Sequence, residues 1–158
     1  MEELNIRQIG VIINDGRKPY IKIEKKYISG LIGLKDFSHI NVVWCFNKSQ
    51  NNIFINNMVL EKPYKNGPEI MGLFATRSPE RPNPIALSTV SVKKIDYDKG
   101  IIELYWIDAF TETPVLDIKP YEPSCDRVEK PRVPEWCKHW PKSIEESADF
   151  DWENEFNF

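Results

Sequence analysis

The stretch GLFATRSPERPNPIALS, Gly72 to Ser88, sets Pro79, Pro82 and Pro84 beside Arg77, Arg81 and Asn83, with apolar residues at both ends. Each proline fixes its own φ at about −65° and pushes the residue before it, here Ser78, Arg81 and Asn83, toward extended backbone. No helix runs through such a segment. Its flanks read as strands: Ile70 to Phe74 before it, and Ile85 to Ile95 after it, with period-2 alternation at Ile85, Leu87, Thr89 and Ser91. The stretch is therefore a stiffened connection inside a β-rich chain. A loop already held in place loses little entropy on binding, so Arg77 and Arg81 can present guanidinium forks to a carboxylate or phosphate while Asn83 offers a donor and an acceptor. The same residues also suit a purely rigid connection whose arginines pair with acids such as Glu80.

Working outward, Asn5 to Ile13 gives a β-branched run closed by the turn residues Asn14, Asp15 and Gly16. Tyr20 to Ile23 alternates as a short second strand. Tyr27 to Leu34 has helical spacing weakened by Gly30 and Gly33. His39 to Phe46 (HINVVWCF) reads as a largely buried strand, and the polar KSQNN segment after it as a loop. Asp96 to Gly100 is a hairpin turn leading into a strand over Ile101 to Ile107, with one more extended segment at Val115 to Ile118. Many strands of similar length at short spacing predict a mainly β fold, a closed or nearly closed barrel with short helices. From Pro131 the chain is expected to form an irregular strap, with a short helix between Pro141 and Asp149.

Composition bounds the rest. The chain has 158 residues, an apolar share of 41%, and twelve prolines against seven glycines, which fits one compact domain rich in ordered loops. The domain is placed at residues 1–143, with an acidic, aromatic tail at 144–158. No apolar segment reaches membrane-spanning length and the N-terminus lacks signal-peptide order, so no membrane partner and a cytoplasmic location are expected. Cys45, Cys125 and Cys137 are odd in number and far apart, as suits free thiols. The net charge of −3 conceals an asymmetry: Glu145, Glu146, Asp149, Asp151, Glu153 and Glu155 all lie in the tail, leaving 18 acids against 21 bases in residues 1–143. Whether the tail folds back, docks on a partner or stays disordered is open at this level.

Several chemistries are unsupported. There is no G-x-G-x-x-G and no G-x-x-x-x-G-K-[ST], hence no phosphate cradle of the Rossmann or P-loop kind. Only two histidines are present, and Cys137 with His139 beside Cys125 has poor ligand spacing, so no metal is expected. A second dense patch, DAFTETPVLDIKPYEPSCD (Asp108–Asp126), places Asp117, Lys119 and Tyr121 on one face of an extended segment. A carboxylate, an ammonium and a phenol there suit proton transfer or ligand orientation; equally, Asp117 and Lys119 simply pair. Thr111 and Thr113 offer hydrogen bonds to a polar ligand. In a third patch, GLKDFSHINVVW, His39 reads as a satisfied histidine at the start of a core strand.

Together FSHI (Phe37–Ile40), FATRSPERPNPIALS and DAFTETPVLDIKPYEP, in this order and at these separations, resemble the TsaA-like (YaeB/TrmO-like) methyltransferases over most of residues 6–126. The resemblance implies a compact β-barrel, a homodimer, and S-adenosyl-L-methionine bound near the subunit contact. The family's characterised reaction methylates N6 of a threonylcarbamoyl-modified adenosine next to the anticodon of tRNA. Carried over by position, cofactor contacts fall at Arg77, Leu87, Phe110, Thr111, Glu112 and Thr113, and at Asn47 and Lys48. Acceptor contacts are expected at Arg81 and Asn83, with Asp117, Lys119 and Tyr121 as the catalytic candidates bordering the acceptor. Asn47 stands where a histidine is usual, and Ala86 and Glu112 stand where glycines are common. The early loop is too short for a Pro-Arg-Gln cofactor contact found in longer members. The expected activity is methyl transfer to tRNA; a small-metabolite methyltransferase and a non-catalytic cofactor-binding module are the alternatives.

Overall fold

The computed structural model describes residues 5–47 and 58–157, so Lys48 and the KSQNN segment lie outside the described residues. Eight strands follow in order: β1 (Gly10–Ile13), β2 (Tyr20–Ile23), β3 (His39–Cys45), β4 (Val59–Glu61), β5 (Ile70–Gly72), β6 (Ile85–Asp96), β7 (Ile101–Leu104) and β8 (Thr113–Pro120). Two one-turn helices, α1 (Pro123–Asp126) and α2 (Ile144–Ser147), and a few 3-10 turns complete the described structure, which is mainly β and not Rossmann-like. The chain divides into two compact units, one drawn from Met1–Gln50 and Pro82–Arg127, the other from Asn51–Arg81 and Val128–Phe158.

In the first unit six strands hydrogen-bond in the cyclic order β1-β2-β7-β6-β3-β8, and β8 pairs back onto β1. All six pairings are antiparallel. The alternation visible in the sequence fills the interior. Ile12, Ile21, Ile40, Val42, Ile102 and Val115 are fully buried, each contributing about 1.5–3 kcal/mol by leaving water. Long β6 serves two neighbours: its first half pairs with β3 and, after a register shift between Val92 and Lys94, its second half pairs with β7. Gly10 is required where β1 passes between β2 and β8, because a Cβ there would stand 2.5 Å from the Lys22 carbonyl oxygen.

Three local expectations are corrected. The segment with helical spacing at 27–34 forms two 3-10 stretches, Lys25–Leu31 and Leu34–Asp36, parted by Gly33 at φ 88°. The strand expected over Ile101–Ile107 ends at Leu104, where the chain turns Tyr105 and Trp106 out to solvent. Residues 70–74 give only β5, followed by a 3-10 turn at Leu73–Ala75; β5 pairs with β4 in a separate two-stranded sheet, not within the ring.

The second unit settles the state of the tail. Tyr64 stacks on Trp136 at 5.0 Å between ring centroids and meets Trp140 and Phe156 at 5.2 and 5.7 Å, while Trp152 packs against Trp140 and Phe150. Main-chain bonds zip the tail to residues 62–65: Lys65 N–H donates to Glu155 O at 2.9 Å and Asn157 N–H to Pro63 O at 3.2 Å. The helix expected between Pro141 and Asp149 is α2, capped by Ser143, whose hydroxyl accepts from Glu146 N–H.

Glu155 is only 7% exposed, and its two carboxylate oxygens are taken by Trp140 Nε1–H at 2.9 Å and by His139 Nε2 at 2.8 Å. The Trp140 hydrogen bond, then that to His139, holds this carboxyl below its usual range. A carboxyl with a lowered folded pKa contributes stability that is present above the ordinary glutamate range and lost as pH falls through the folded value. Acidification below that range is therefore expected to loosen the aromatic cluster, read as loss of the near-ultraviolet circular dichroism of tryptophan; Glu155→Gln should remove that acid-dependent step.

Candidate functional site on the outer wall of the first unit

Register, more than sequence spacing, assembles the candidate residues. On β3, Val43 is flanked by Leu87 of β6 on one side and Asp117 of β8 on the other. The next rung along the same face is Thr89, Asn41 and Lys119. A third rung sets Ser91 opposite His39, and Tyr121 follows by donating its backbone N–H to His39 O at 3.1 Å. Directly opposed residues in antiparallel strands share a face. Leu87, Asp117, Lys119 and Tyr121 thus belong to one β6-β3-β8 wall. Leu87 is 52% exposed, so its side chain lies outside the core.

The chemistry of that wall is mixed. Lys119 Nζ lies 2.8 Å from Asp117 Oδ2, and this hydrogen bond and charge hold the ammonium above its ordinary range. Lys119 is therefore a cation at neutral pH, and Asp117 is the group with a lone pair to offer. Asp117 Oδ1 also accepts from Ile118 N–H at 2.9 Å, which fixes the carboxylate in place. Pairing of Asp117 with Lys119, one of the two readings of their spacing, is what the structure contains. His39 has Ser38 Oγ at 2.9 Å from Nδ1, as a satisfied histidine would; its ring meets Tyr121 edge-on at 6.3 Å.

At one end of this wall β3 runs out. Asn47 is exposed there, beside the start of β6, because Phe46 N–H donates to Pro84 O at 2.8 Å and Ile85 N–H to Asn83 O at 2.7 Å. Trp44 opposes Val115, so the antiparallel course of β8 brings Thr113 toward the same end of β3. Asn47, Asn83 and the 110–113 segment consequently gather at one end of the ring. Phe110, Thr111 and Glu112 are exposed, whereas Thr113 is 2% exposed and faces the interior, leaving its backbone rather than its hydroxyl for an outside ligand.

Asn14 holds this segment, a role that its reading as a plain turn residue misses. Its Nδ2 donates to Ile107 O at 3.1 Å and to Ala109 O at 2.9 Å, and its backbone N–H to Thr111 Oγ1 at 3.3 Å. Glu112 N–H adds a bond to Ile12 O at 2.7 Å. Glu112 sits at φ 65°, left-handed backbone that disfavours any side chain. Glu112→Gly is expected to raise unfolding stability by up to about 1 kcal/mol, read in urea titration, because relief of that strain exceeds the added unfolded-state entropy. Asn41 is the other residue missed: 7% exposed at the centre of the wall, it accepts from Thr89 Oγ1 at 2.7 Å. A single asparagine inside HINVVWC carries no signal until register places it beside Lys119.

The opening motif crosses from the second unit into the first after Arg81. In the second unit Arg77 is exposed. Arg81 Nη1 donates to Thr76 O at 2.9 Å and to Ser78 O at 3.4 Å, so these bonds bind its guanidinium to its own loop rather than to Glu80.

Comparison with known proteins relates the chain to one family. The sequence model of the tRNA-methyltransferase O N-terminal domain matches residues 8–127. A probable S-adenosyl-L-methionine-binding protein of Methanocaldococcus jannaschii is 35% identical over 124 residues, covering 77% of this chain and 94% of that protein. The tRNA (adenine(37)-N6)-methyltransferase of Escherichia coli is 33% identical over 124 residues, 77% of this chain but 52% of that enzyme. The crystal structure of TrmO superposes with a TM-score of 0.67 at 25% identity, covering 84% of this chain and 64% of that one. The chain thus spans nearly the whole of the archaeal relative and about half of the bacterial enzyme.

Proposed function

The chain belongs to the family of the tRNA-methyltransferase O N-terminal domain, and from that premise we propose that it is an S-adenosyl-L-methionine-dependent methyltransferase acting on N6 of a threonylcarbamoyl-adenosine next to the anticodon of tRNA. The observation that carries the reading is the β6-β3-β8 wall, where exposed Leu87 and an oriented Asp117 carboxylate flank the same residue.

The residues fit the cofactor. An adenosine needs apolar surface and hydrogen bonds at its edge, and a methionine zwitterion needs one charge of each sign. Leu87 and its exposed neighbour Ile85 supply the apolar surface, and the main chain of 110–113 the hydrogen bonds. Asn47, and Lys48 beyond it, complete the set carried by the family motif, and Arg77 is the motif's partner for a carboxylate. When bound, the cofactor supplies a methyl group already activated on a sulfonium.

What remains for the chain is alignment and proton handling. Arg81 and Asn83 contact acceptor phosphates and hold the nucleotide. Asp117 would border the incoming amine and accept the proton that N6 sheds on methylation. Lys119 keeps Asp117 in its orientation, and Tyr121 borders the acceptor. We read the cyclic sheet as the family's β-barrel, the protein as a cytoplasmic homodimer, and no metal as taking part.

A second reading has its own support: a relative of which this chain covers 94% is described as a probable S-adenosyl-L-methionine-binding protein. Titration with tRNA at rising salt separates the readings. A tRNA ligand contacting several cationic groups should lose affinity steeply between low and physiological salt, whereas a neutral small acceptor should be indifferent. Firm cofactor affinity with methyl transfer to no substrate in a cell extract would favour the binding module.

A further inference from the structure

Phe74 is 72% exposed, on a turn that is otherwise pinned within the second unit. Its neighbour Leu73 is 2% exposed, Thr76 Oγ1–H donates to Leu73 O at 2.8 Å, Thr76 N–H donates to the same carbonyl at 3.1 Å, and Ser78 N–H donates to Thr76 Oγ1 at 3.3 Å. Arg81, anchored on Thr76 O and Ser78 O, carries its guanidinium 5.7 Å from the centre of the Phe74 ring. A lone exposed phenylalanine needs no explanation; one held on a fixed turn under an anchored arginine does. These bonds fix the backbone of the turn, and the Arg81 guanidinium lies over the Phe74 ring.

We infer that Phe74 and Arg81 form a stacking platform for an unpaired nucleobase of the acceptor RNA. Aromatic faces bind bases of unpaired strands, which can be splayed out, and guanidinium planes both stack and meet phosphate. The exposed ring supplies the first and Arg81 the second. A base stacked on Phe74 would be sandwiched on a ring already engaged by Arg81, so little ordering remains to be done on binding. The inference rests on the tRNA reading above and assigns to Phe74 and Arg81 the holding of a base, leaving the cofactor to other residues.

The test is binding of a short RNA hairpin with unpaired purines in its loop, and of the same sequence closed into a continuous duplex, to the full chain and its Phe74 variants, with S-adenosyl-L-methionine affinity measured in parallel. Wild type should prefer the hairpin. Phe74→Ala should weaken hairpin binding roughly 5- to 150-fold with duplex and cofactor binding unchanged. Phe74→Trp should retain hairpin binding, whereas Phe74→Leu, apolar but not aromatic, should behave as Phe74→Ala. Hairpin binding that survives Phe74→Ala, or a loss confined to cofactor affinity, overturns the platform alone. Wild type that binds no RNA overturns the platform together with the tRNA reading.

Discussion

Arg77→Ala is expected to raise the dissociation constant for S-adenosyl-L-methionine roughly 10- to 150-fold, the loss of about 1.5–3 kcal/mol that follows removal of a charged hydrogen-bonding partner. Arg77 is exposed, so the substitution removes little packing and the fold should stay intact. Calorimetric titration reads the affinity and circular dichroism checks the fold. Arg77→Lys is expected to recover only part of the loss, because an ammonium presents one point charge where the guanidinium presents a planar fork. Unchanged cofactor affinity in Arg77→Ala would remove this residue from the site.

Asp117→Asn is expected to lower kcat for methyl transfer about 100-fold, within the range that positioned general bases contribute, with little effect on the KM for the cofactor. The carboxylate is held by Ile118 N–H and by Lys119, and an amide in its place can keep the shape but cannot accept the proton shed by N6. The split between the two constants separates a proton acceptor from a binding residue. Lys119→Ala should give a smaller loss, since it removes the partner that orients Asp117 and not the acceptor itself. Equal losses in both variants would mean that the pair acts only through its charge.

Much of the ring was legible because burial follows period 2. HINVVWC and IALSTVSVKKI could be assigned as strands from β-branched residues alone, and the hairpin between β6 and β7 from Asp96 to Gly100. What was not legible depended on partners distant in sequence. Tyr105 and Trp106 look like a continuation of β7, but the strand ends at Leu104 and Asn14 holds the chain beyond them at Ile107 and Ala109. The bonds from Arg81 to two carbonyls of its own loop depend on the turn at Leu73–Ala75, which the apolar run of Ile70 to Phe74 disguises as a strand.

The candidate site divides in the same way. Motif order pointed to Leu87, Asp117, Lys119 and Tyr121, and same-face alternation along β8 related the last three. That Leu87 joins them required the register of β3 against both neighbours, which no spacing within one strand reveals. Glu112 shows the converse. The glycine that the family resemblance implies there matches a left-handed backbone at φ 65°, so a departure from the motif carried conformational information. The tail was undecidable because aromatic and acidic residues in alternation suit either disorder or a cluster; Glu155 meeting Trp140 and His139 decides it.

Transfer of a methyl group from S-adenosyl-L-methionine to a tRNA adenosine is the reaction proposed for the oriented residues of the β6-β3-β8 wall. It is tested most directly by incubating the protein with methyl-labelled S-adenosyl-L-methionine and total tRNA from a strain lacking this activity, followed by nucleoside mass spectrometry. Label is expected on the threonylcarbamoyl-adenosine nucleoside, and is expected to be absent with Asp117→Asn at the same incubation time. Label found on no nucleoside, with cofactor binding intact, would contradict it.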